Sequence, residues 1–492
     1  MKIAGTIQLC NALKKMSLIS IIAFGFTVLV VFCRLPNKSM FSDSSNRLAV
    51  AVNGSSEFQT IEGWGVTHHV WGDFLQEYPI PYQDAVNQVR SLGFEYAFIP
   101  SDPFELVNDN GNPNNYNWQS FNLQFGARDN DFFRNCKYLQ DAGFKLVVSI
   151  YNYCYADWAT DGPCEDKSGN HIRSFDPHIY DEVAEYWTAL LLYAKNNHNL
   201  SFDYISIQNE PGPDGQMTYW TPLELAEGIK SLGKRLKLAG FDTKIIAPDD
   251  STALGSRKYM QTLLLDPLAT SYIARLAFHT YDGGYPNGSA DDAIKGISDL
   301  AQDSLVINSG LSLWMTEWTG GRAPIEKALE YAKLIYNSHV YGNATNFFVW
   351  SSSPGQDGFF AAGVVNGKIK LQKYGHGISQ YTKFVPPGSI RISADINSTS
   401  NVFVTSYKHN ELEQFILVFI NRNDRPITVR PSVANVQGLS NLDVICTSET
   451  LDAVYLGQVI VNGSSFSYDL SKRSITTFTG KYSKSKKSTY RR

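Results

Sequence analysis

Glu210 closes the run Ser206-Ile207-Gln208-Asn209-Glu210-Pro211, and Glu317 closes Leu313-Trp314-Met315-Thr316-Glu317. Each ends a short apolar stretch, so each would sit at the exit of a strand. Two carboxyls brought into one mouth are what the cleavage of a glycosidic bond needs, one to protonate the leaving oxygen and one to attack carbon or activate water. A single glutamate at a strand end is more simply a solvated or ion-paired side chain. The pair says more because other strand ends offer suitable neighbours. Asn209 can hydrogen-bond a sugar hydroxyl, His279 and Tyr281 follow another apolar run, and the face of Trp350 suits a sugar ring.

The elements that must position these residues repeat one pattern between residues 61 and 380: a short apolar run, a polar loop, then an amphipathic stretch. The runs fall at 62–67, 94–100, 145–151, 204–208, 244–248, 273–278, 313–317 and 346–350. Leu223, Ala226, Ile229, Leu232 and Leu236 recur at helical spacing before Gly240, a good C-terminal stop. Eight strands alternating with helices predict an α/β fold, a closed eight-stranded TIM barrel over 61–383. An open doubly wound sheet alternates in the same way, but Gly63-Trp64-Gly65 lacks the phosphate-loop fingerprint that would accompany it. In such a barrel, catalytic groups lie at the C-terminal strand ends, where both glutamates fall.

After about residue 384 the pattern changes to alternating strands and turns at 402–407, 415–421, 427–429, 459–461 and 474–479. An antiparallel β-sandwich over 384–480 is expected, taking a further strand from 47–60.

The 492 residues are 43% apolar and 18% charged, with a net charge of −4 and no basic segment away from the two ends. That is a folded composition without the electrostatic footprint of a nucleic-acid binder. The 13% of aromatic residues suits flat ligands such as sugars, or simply a ring-rich core. No cysteine pair has zinc spacing and there is no His-Glu-x-x-His, so neither metal nor cofactor is expected. Cys154 and Cys164 could pair in an oxidising compartment, and Cys136 and Cys446 read as buried thiols.

The uncharged apolar stretch 16–33, preceded by a basic 1–15 segment and followed by a 34–46 linker, reads as a signal anchor or signal peptide. An uncleaved anchor with its basic end in the cytoplasm is favoured because no small-x-small cleavage site follows. Either way the rest of the chain would be lumenal or extracellular. Seven Asn-x-Ser/Thr triplets, at Asn37, Asn53, Asn199, Asn287, Asn343, Asn397 and Asn462, agree with that compartment. The basic stretch 481–492 reads as a solvated tail, and a monomer is expected.

Taken together, Ser206–Pro211, Trp314–Glu317, His279-Thr280-Tyr281 and the opening Ile61-Glu62-Gly63-Trp64-Gly65 resemble glycoside hydrolase family 30. The stretch from Tyr374 to Ile392 is similar to the barrel-to-sandwich junction of the xylanase-like members. The resemblance spans about residues 47–480. It implies that Glu210 is the acid/base and Glu317 the nucleophile of a retaining β-glycosidase, with Asn209 at the sugar 2-hydroxyl, Tyr281 orienting Glu317 and Trp350 flooring the central subsite. A nucleophile must be ionised while the acid stays protonated, and the charge of Glu317 favours a protonated Glu210 until the glycosyl-enzyme forms. Trp71, Trp158, Tyr219, Trp220, Trp318 and Arg322 are loop candidates for outer subsites, against plain packing.

The chain also departs from the family. Members usually carry an Arg on the second strand that holds the nucleophile, and here that strand reads Phe94-Glu95-Tyr96-Ala97-Phe98-Ile99-Pro100. Either another donor, such as His68 or His69, takes its place or activity is reduced. The loop 351–358 lacks the Arg of members that read a glucuronate branch, so glucuronoxylan specificity is not supported. The third-strand loop lacks the double-Pro pattern of relatives. A cell-wall or extracellular β-glycan is the expected substrate, xylan first, with β-1,6-glucanase, β-1,6-galactanase and glucosylceramidase as rivals. Outside the enzyme class, the rivals are a catalytically weak carbohydrate-binding barrel, motivated by the missing Arg, and an adhesion scaffold.

Overall fold

Parallel strands covered on both faces read as continuous apolar runs, and the eight runs of the sequence are the eight strands of a closed barrel. The structure, a computed structural model, describes residues 47–70, 78–101, 112–151, 159–160, 172, 177–213, 218–284, 288–320, 324–354, 358–396 and 401–483. A strand that precedes the barrel, β1 (Arg47–Thr60), is followed by β2 (Gly63–Thr67), β3 (Tyr96–Ser101), β4 (Lys145–Ile150) and β5 (Tyr204–Ser206). The barrel closes through β6 (Lys244–Asp250), β7 (Ile273–His279), β8 (Leu313–Glu317) and β9 (Asn346–Val349), which pairs in parallel with β2.

The barrel interior is a ring-rich plug. Tyr96, Phe98, Tyr204, Trp314 and Phe348 pack together inside it, with Trp314 4.9 Å from Tyr204 and 5.1 Å from Tyr96. At the N-terminal end Arg275 reaches both oxygens of Glu62, at 3.1 and 2.9 Å, closing the floor with an ion pair. Space for a ligand is therefore left at the C-terminal mouth.

Helices clamp the loops of that mouth. The helix Pro222–Leu238 begins with a capping box in which Thr221 accepts from Glu224 N and Glu224 accepts from Thr221 N, which anchors the chain just after Glu210. Gly240, at φ 70, stops the same helix as its position in the sequence predicted. In the helix Pro324–Val340, the Tyr331 hydroxyl donates to the carbonyls of Trp318 at 3.0 Å and Trp350 at 2.8 Å. It thereby ties the exits of β8 and β9 together.

The side domain is one nine-stranded sheet, sandwich-like in its packing, with its own apolar core. In β1, Leu48, Val50 and Val52 are buried while Arg47, Ala49 and Ala51 are exposed, the alternation that a one-face-buried strand requires. The sheet is not wholly antiparallel as expected. β1 pairs antiparallel with Ile390–Ile396 but parallel with Ile427–Ala434, because it enters the sheet from outside the run of C-terminal hairpins. Three of its strands were not foreseen: Ile390–Ile396, Asn441–Thr447 and Tyr468–Leu470. Cys136 and Cys446 are buried free thiols. Among the described residues no helix is long and apolar enough to cross a membrane. The expected anchor at 16–33, the Cys154/Cys164 pair and residues 484–492 of the tail lie outside the described residues.

Candidate active site

Two bulges shape the mouth. Between β6 and β7, Pro248 pairs with Ala277 and Asp250 with Phe278, leaving Asp249 as the extra residue. Between β7 and β8, Phe278 pairs with Met315 and His279 with Glu317, leaving Thr316 as the extra residue. Such insertions re-aim the side chains that follow them, here Asp250 after Asp249 and Glu317 after Thr316. Asp249 has φ 66 and Glu210 φ 49, left-handed conformations that non-glycine residues rarely adopt and that functional sites often hold. The Glu210 amide donates to the Asp249 carbonyl at 3.0 Å, which fixes one strained residue against the other.

The two glutamates meet. One oxygen of Glu210, one of Glu317 and one ring nitrogen of His279 all lie within 4.8 Å of one another. An approach that short between one oxygen of each agrees with the roughly 5–5.5 Å of a carboxyl pair that works by direct attack and favours it over the roughly 6.5–9.5 Å that seats a water between them. Glu210 retains 9% exposure and Glu317 6%, so both carboxyls reach the mouth while remaining largely desolvated.

His279 is fully buried between carboxylates. Its Nδ1 lies 3.0 Å from Glu210 Oε1 and 4.0 Å from Glu317 Oε1, and its Nε2 lies 3.3 Å from Asp249 Oδ1, off the line of an ideal hydrogen bond. Burial alone would lower its pKa, but the contacts with Asp249 and Glu210 outweigh it and raise the value to about 9. A shift in that direction favours a proton on both ring nitrogens near neutral pH. Three donors this close are also a pattern that a metal ion could use, but only with the imidazole neutral, since an imidazolium has no lone pair to give. His279 has no exposed surface and both its ring nitrogens face carboxylates, so, unlike the expectation that it binds substrate, it stands behind the glutamates with no group left for a ligand.

Burial pushes the Glu317 carboxyl well above its usual range. The Tyr281 hydroxyl donates to Glu317 Oε1 at 3.0 Å, while Oε2 has no partner. At an effective dielectric of about 20, unit charges about 4 Å apart attract by about 4 kcal/mol, so a nearby imidazolium supports an ionised Glu317. His68 and His69 do not supply it. Burial lowers their pKa values to about 3 and about 4, and their Nδ1 atoms face Ser352 at 2.8 Å and Ser353 at 2.9 Å.

Asn209 is wholly buried beside Glu210, its amide oxygen and nitrogen both without a partner, as expected of a group that awaits a ligand. Trp350 is half-buried at the mouth. Tyr151, marked in the sequence only by its place at a strand exit, stacks on it at 5.5 Å and 18° between planes, and His69 meets it edge-on at 5.1 Å. Asp249 also went unnoticed, although two consecutive aspartates ending an apolar run were the available signal.

The outer aromatic candidates divide. Trp220 is fully buried beside Tyr180 at 6.3 Å, and its carbonyl accepts from Tyr259. Trp318 is 1% exposed and packs edge-on against Tyr331 at 4.8 Å. Neither presents a ring face to a ligand, so both belong to the core and not to outer subsites. Tyr219 is half-buried, and Trp71, Trp158 and Arg322 lie outside the described residues. A groove at the opposite face, between Lys145, Lys195, Asp203 and Lys244, is remote from this chemistry.

No protein-family model matches the chain. It is 24% identical over 309 residues to the glucuronoxylanase XynC of Bacillus subtilis, an alignment covering 61% of this chain and 66% of that protein, just under two thirds. It is 26% identical over 388 residues to the endo-1,6-beta-D-glucanase neg1 of Aspergillus fumigatus, covering 71% of this chain and 75% of the relative. Among solved structures, a GH30 endoxylanase from Clostridium papyrosolvens C71 superposes with a TM-score of 0.67 at 22% identity, covering 88% of this chain and all of that one. With the closed barrel, the side sheet that takes β1 and the paired glutamates at the exits of the fourth and seventh barrel strands, these likenesses make the chain similar to glycoside hydrolases of family 30.

Proposed function

We propose that the protein is a retaining β-glycosidase of cell-wall or extracellular β-glycans, acting first on xylan as an endo-β-1,4-xylanase. The observation that carries the reaction type is the approach of Glu210 and Glu317 to within 4.8 Å. Glu210 gives its proton to the glycosidic oxygen while Glu317 forms a bond to the anomeric carbon, producing a glycosyl ester. Glu210, now a carboxylate, then takes a proton from water as that water displaces Glu317, and the anomeric configuration is restored. Asn209 supplies unpartnered donor and acceptor groups for a hydroxyl, and Trp350 backed by Tyr151 supplies a ring platform.

Likeness to xylanases supports xylan, and the longer alignment with a β-1,6-glucanase supports that linkage as the second reading. A glucuronate branch is not part of the proposal, since loop 351–358 has no Arg to read it. We place the catalytic domain in the secretory lumen or outside the cell, held by 16–33, on the apolar character of that stretch. Incubating residues 46–492 and its Glu317→Gln variant with xylan, β-1,6-glucan, β-1,6-galactan and glucosylceramide tests the reading. Xylan should be cut by the parent alone. Cleavage of another member of the panel would move the substrate, and cleavage of none by a folded parent would remove the activity.

A further inference from the structure

We infer that the buried pair Asp249–His279 does the work of the missing second-strand arginine, holding a fixed positive charge between the nucleophile and the acid/base. The inference rests on the glycosidase reading for its catalytic consequence, but not for its structural content. β3 cannot supply a cation, since Tyr96 and Phe98 occupy its inward positions within the ring-rich plug. Among the described residues, the cationic group within 4.0 Å of Glu317 is His279.

The geometry determines the charge on the ring. Nδ1 faces Glu210 and Nε2 faces Asp249, at 3.0 and 3.3 Å. When Glu210 is ionised, a neutral imidazole with its one N–H would satisfy one carboxylate and turn a lone pair toward the other; when Glu210 holds the acid's proton, its other oxygen still accepts from Nδ1, and Asp249 and Glu317 are the charges that hold the proton on the ring. With no exposed surface at His279 or Asp249, water cannot relieve that repulsion. A ring protonated on both nitrogens satisfies both. The Thr316 hydroxyl donates to Asp249 Oδ1 from the neighbouring bulge, which keeps that carboxylate an acceptor and fixed in place. The groups facing the ring are thus Glu210 after β5, Asp249 and Asp250 on β6, Tyr281 after its own strand and Glu317 on β8; Asp250, raised by burial to about 6, is a weaker contributor.

The position of the charge suits both chemical steps. Before attack the negative charge is on Glu317; after the proton leaves Glu210 and the ester forms, it is on Glu210. His279 stands beside both, so the charge moves without leaving its partner. His279 and Asp249 are positioning residues in this account, since neither reaches the cleft.

The test uses the full-length protein labelled with nitrogen-15 in its histidines, together with Asp249→Asn and His279→Gln. In the parent at neutral pH, NMR should show His279 with both nitrogens protonated, and Asp249→Asn should leave one of them bare. The acid limb of kcat/KM should move to higher pH by about one unit in both variants, with kcat falling about tenfold or more and KM little changed. A neutral His279 in the parent would overturn the proposal without need of any variant. So would folded variants whose acid limbs stay in place. If the parent shows the doubly protonated ring but cleaves no glycan, the glycosidase reading fails while the buried ion pair stands.

Discussion

The hydroxyl of Thr316 donates to the carboxylate of Asp249, so the extra residue of one bulge is tied to the extra residue of the next. That link holds the exits of β6 and β8 in a single register and sets the aim of both Asp250 and Glu317. Thr316→Val keeps the shape and removes the donor. It should cost about 1–3 kcal/mol of stability, because Asp249 is left buried with a lone pair unmet, and lower kcat more than it raises KM. Thermal unfolding and initial rates on the same preparation check both parts.

Trp220 and Trp318 should behave as core residues and Trp350 as a ligand contact. Trp220→Ala or Trp318→Ala should each lose about 3–5 kcal/mol of stability by opening a cavity. Trp350→Ala, half-exposed, should keep most of the stability and raise KM about tenfold. A rise in KM from a stably folded Trp318→Phe would restore that ring to the cleft.

Burial raises Glu317 above the usual value of 4.5, and this has a readable consequence for pH dependence. A raised carboxyl stays protonated, and so cannot attack, to a higher pH. Activity should therefore fall as pH drops through a point above 4.5, the nucleophile being lost before ordinary carboxylates titrate. A kcat/KM profile whose acid limb lies at or below the ordinary value would contradict the assignment.

The same shift links to stability. A carboxyl whose folded value is raised contributes stability below its unfolded value and loses that contribution as pH rises through the folded value. Glu317→Gln should thus abolish turnover, by about 10³-fold or more, yet unfold at a higher temperature than the parent at pH about 7. The two should converge in acid. Calorimetry across that range decides it, and a variant less stable than the parent at neutral pH would count against a net cost of the buried charge.

How much of this was legible in the sequence depends on what each residue packs against. The barrel strands were readable because burial on both faces makes them uninterrupted apolar runs, and the glutamates were readable because they end two of those runs. In the side sheet, Val454–Ile460 is exposed or half-exposed along its whole length, so no alternation marks it, and only its last residues were foreseen. Asp249 was hidden by its bulge, since an inserted residue breaks the period that sequence reading relies on. Trp220 and Trp318 follow Glu210 and Glu317 in the chain, and nothing in sequence distinguishes a ring turned to the cleft from one turned to the helices. That a buried histidine on another strand could do the work of the arginine was likewise invisible, because the relation lies in space between β3 and β7.

The central claim is that Glu317 attacks carbon directly and Glu210 serves first as acid and then as base. Proton NMR of the products in the first minutes of cleavage, on whichever glycan of the panel is cut, tests this most directly. The β-anomer should appear first and convert slowly to the equilibrium mixture. Initial release of the α-anomer would mean that water attacks in a single displacement, and the short approach of the two carboxyls would then need another explanation.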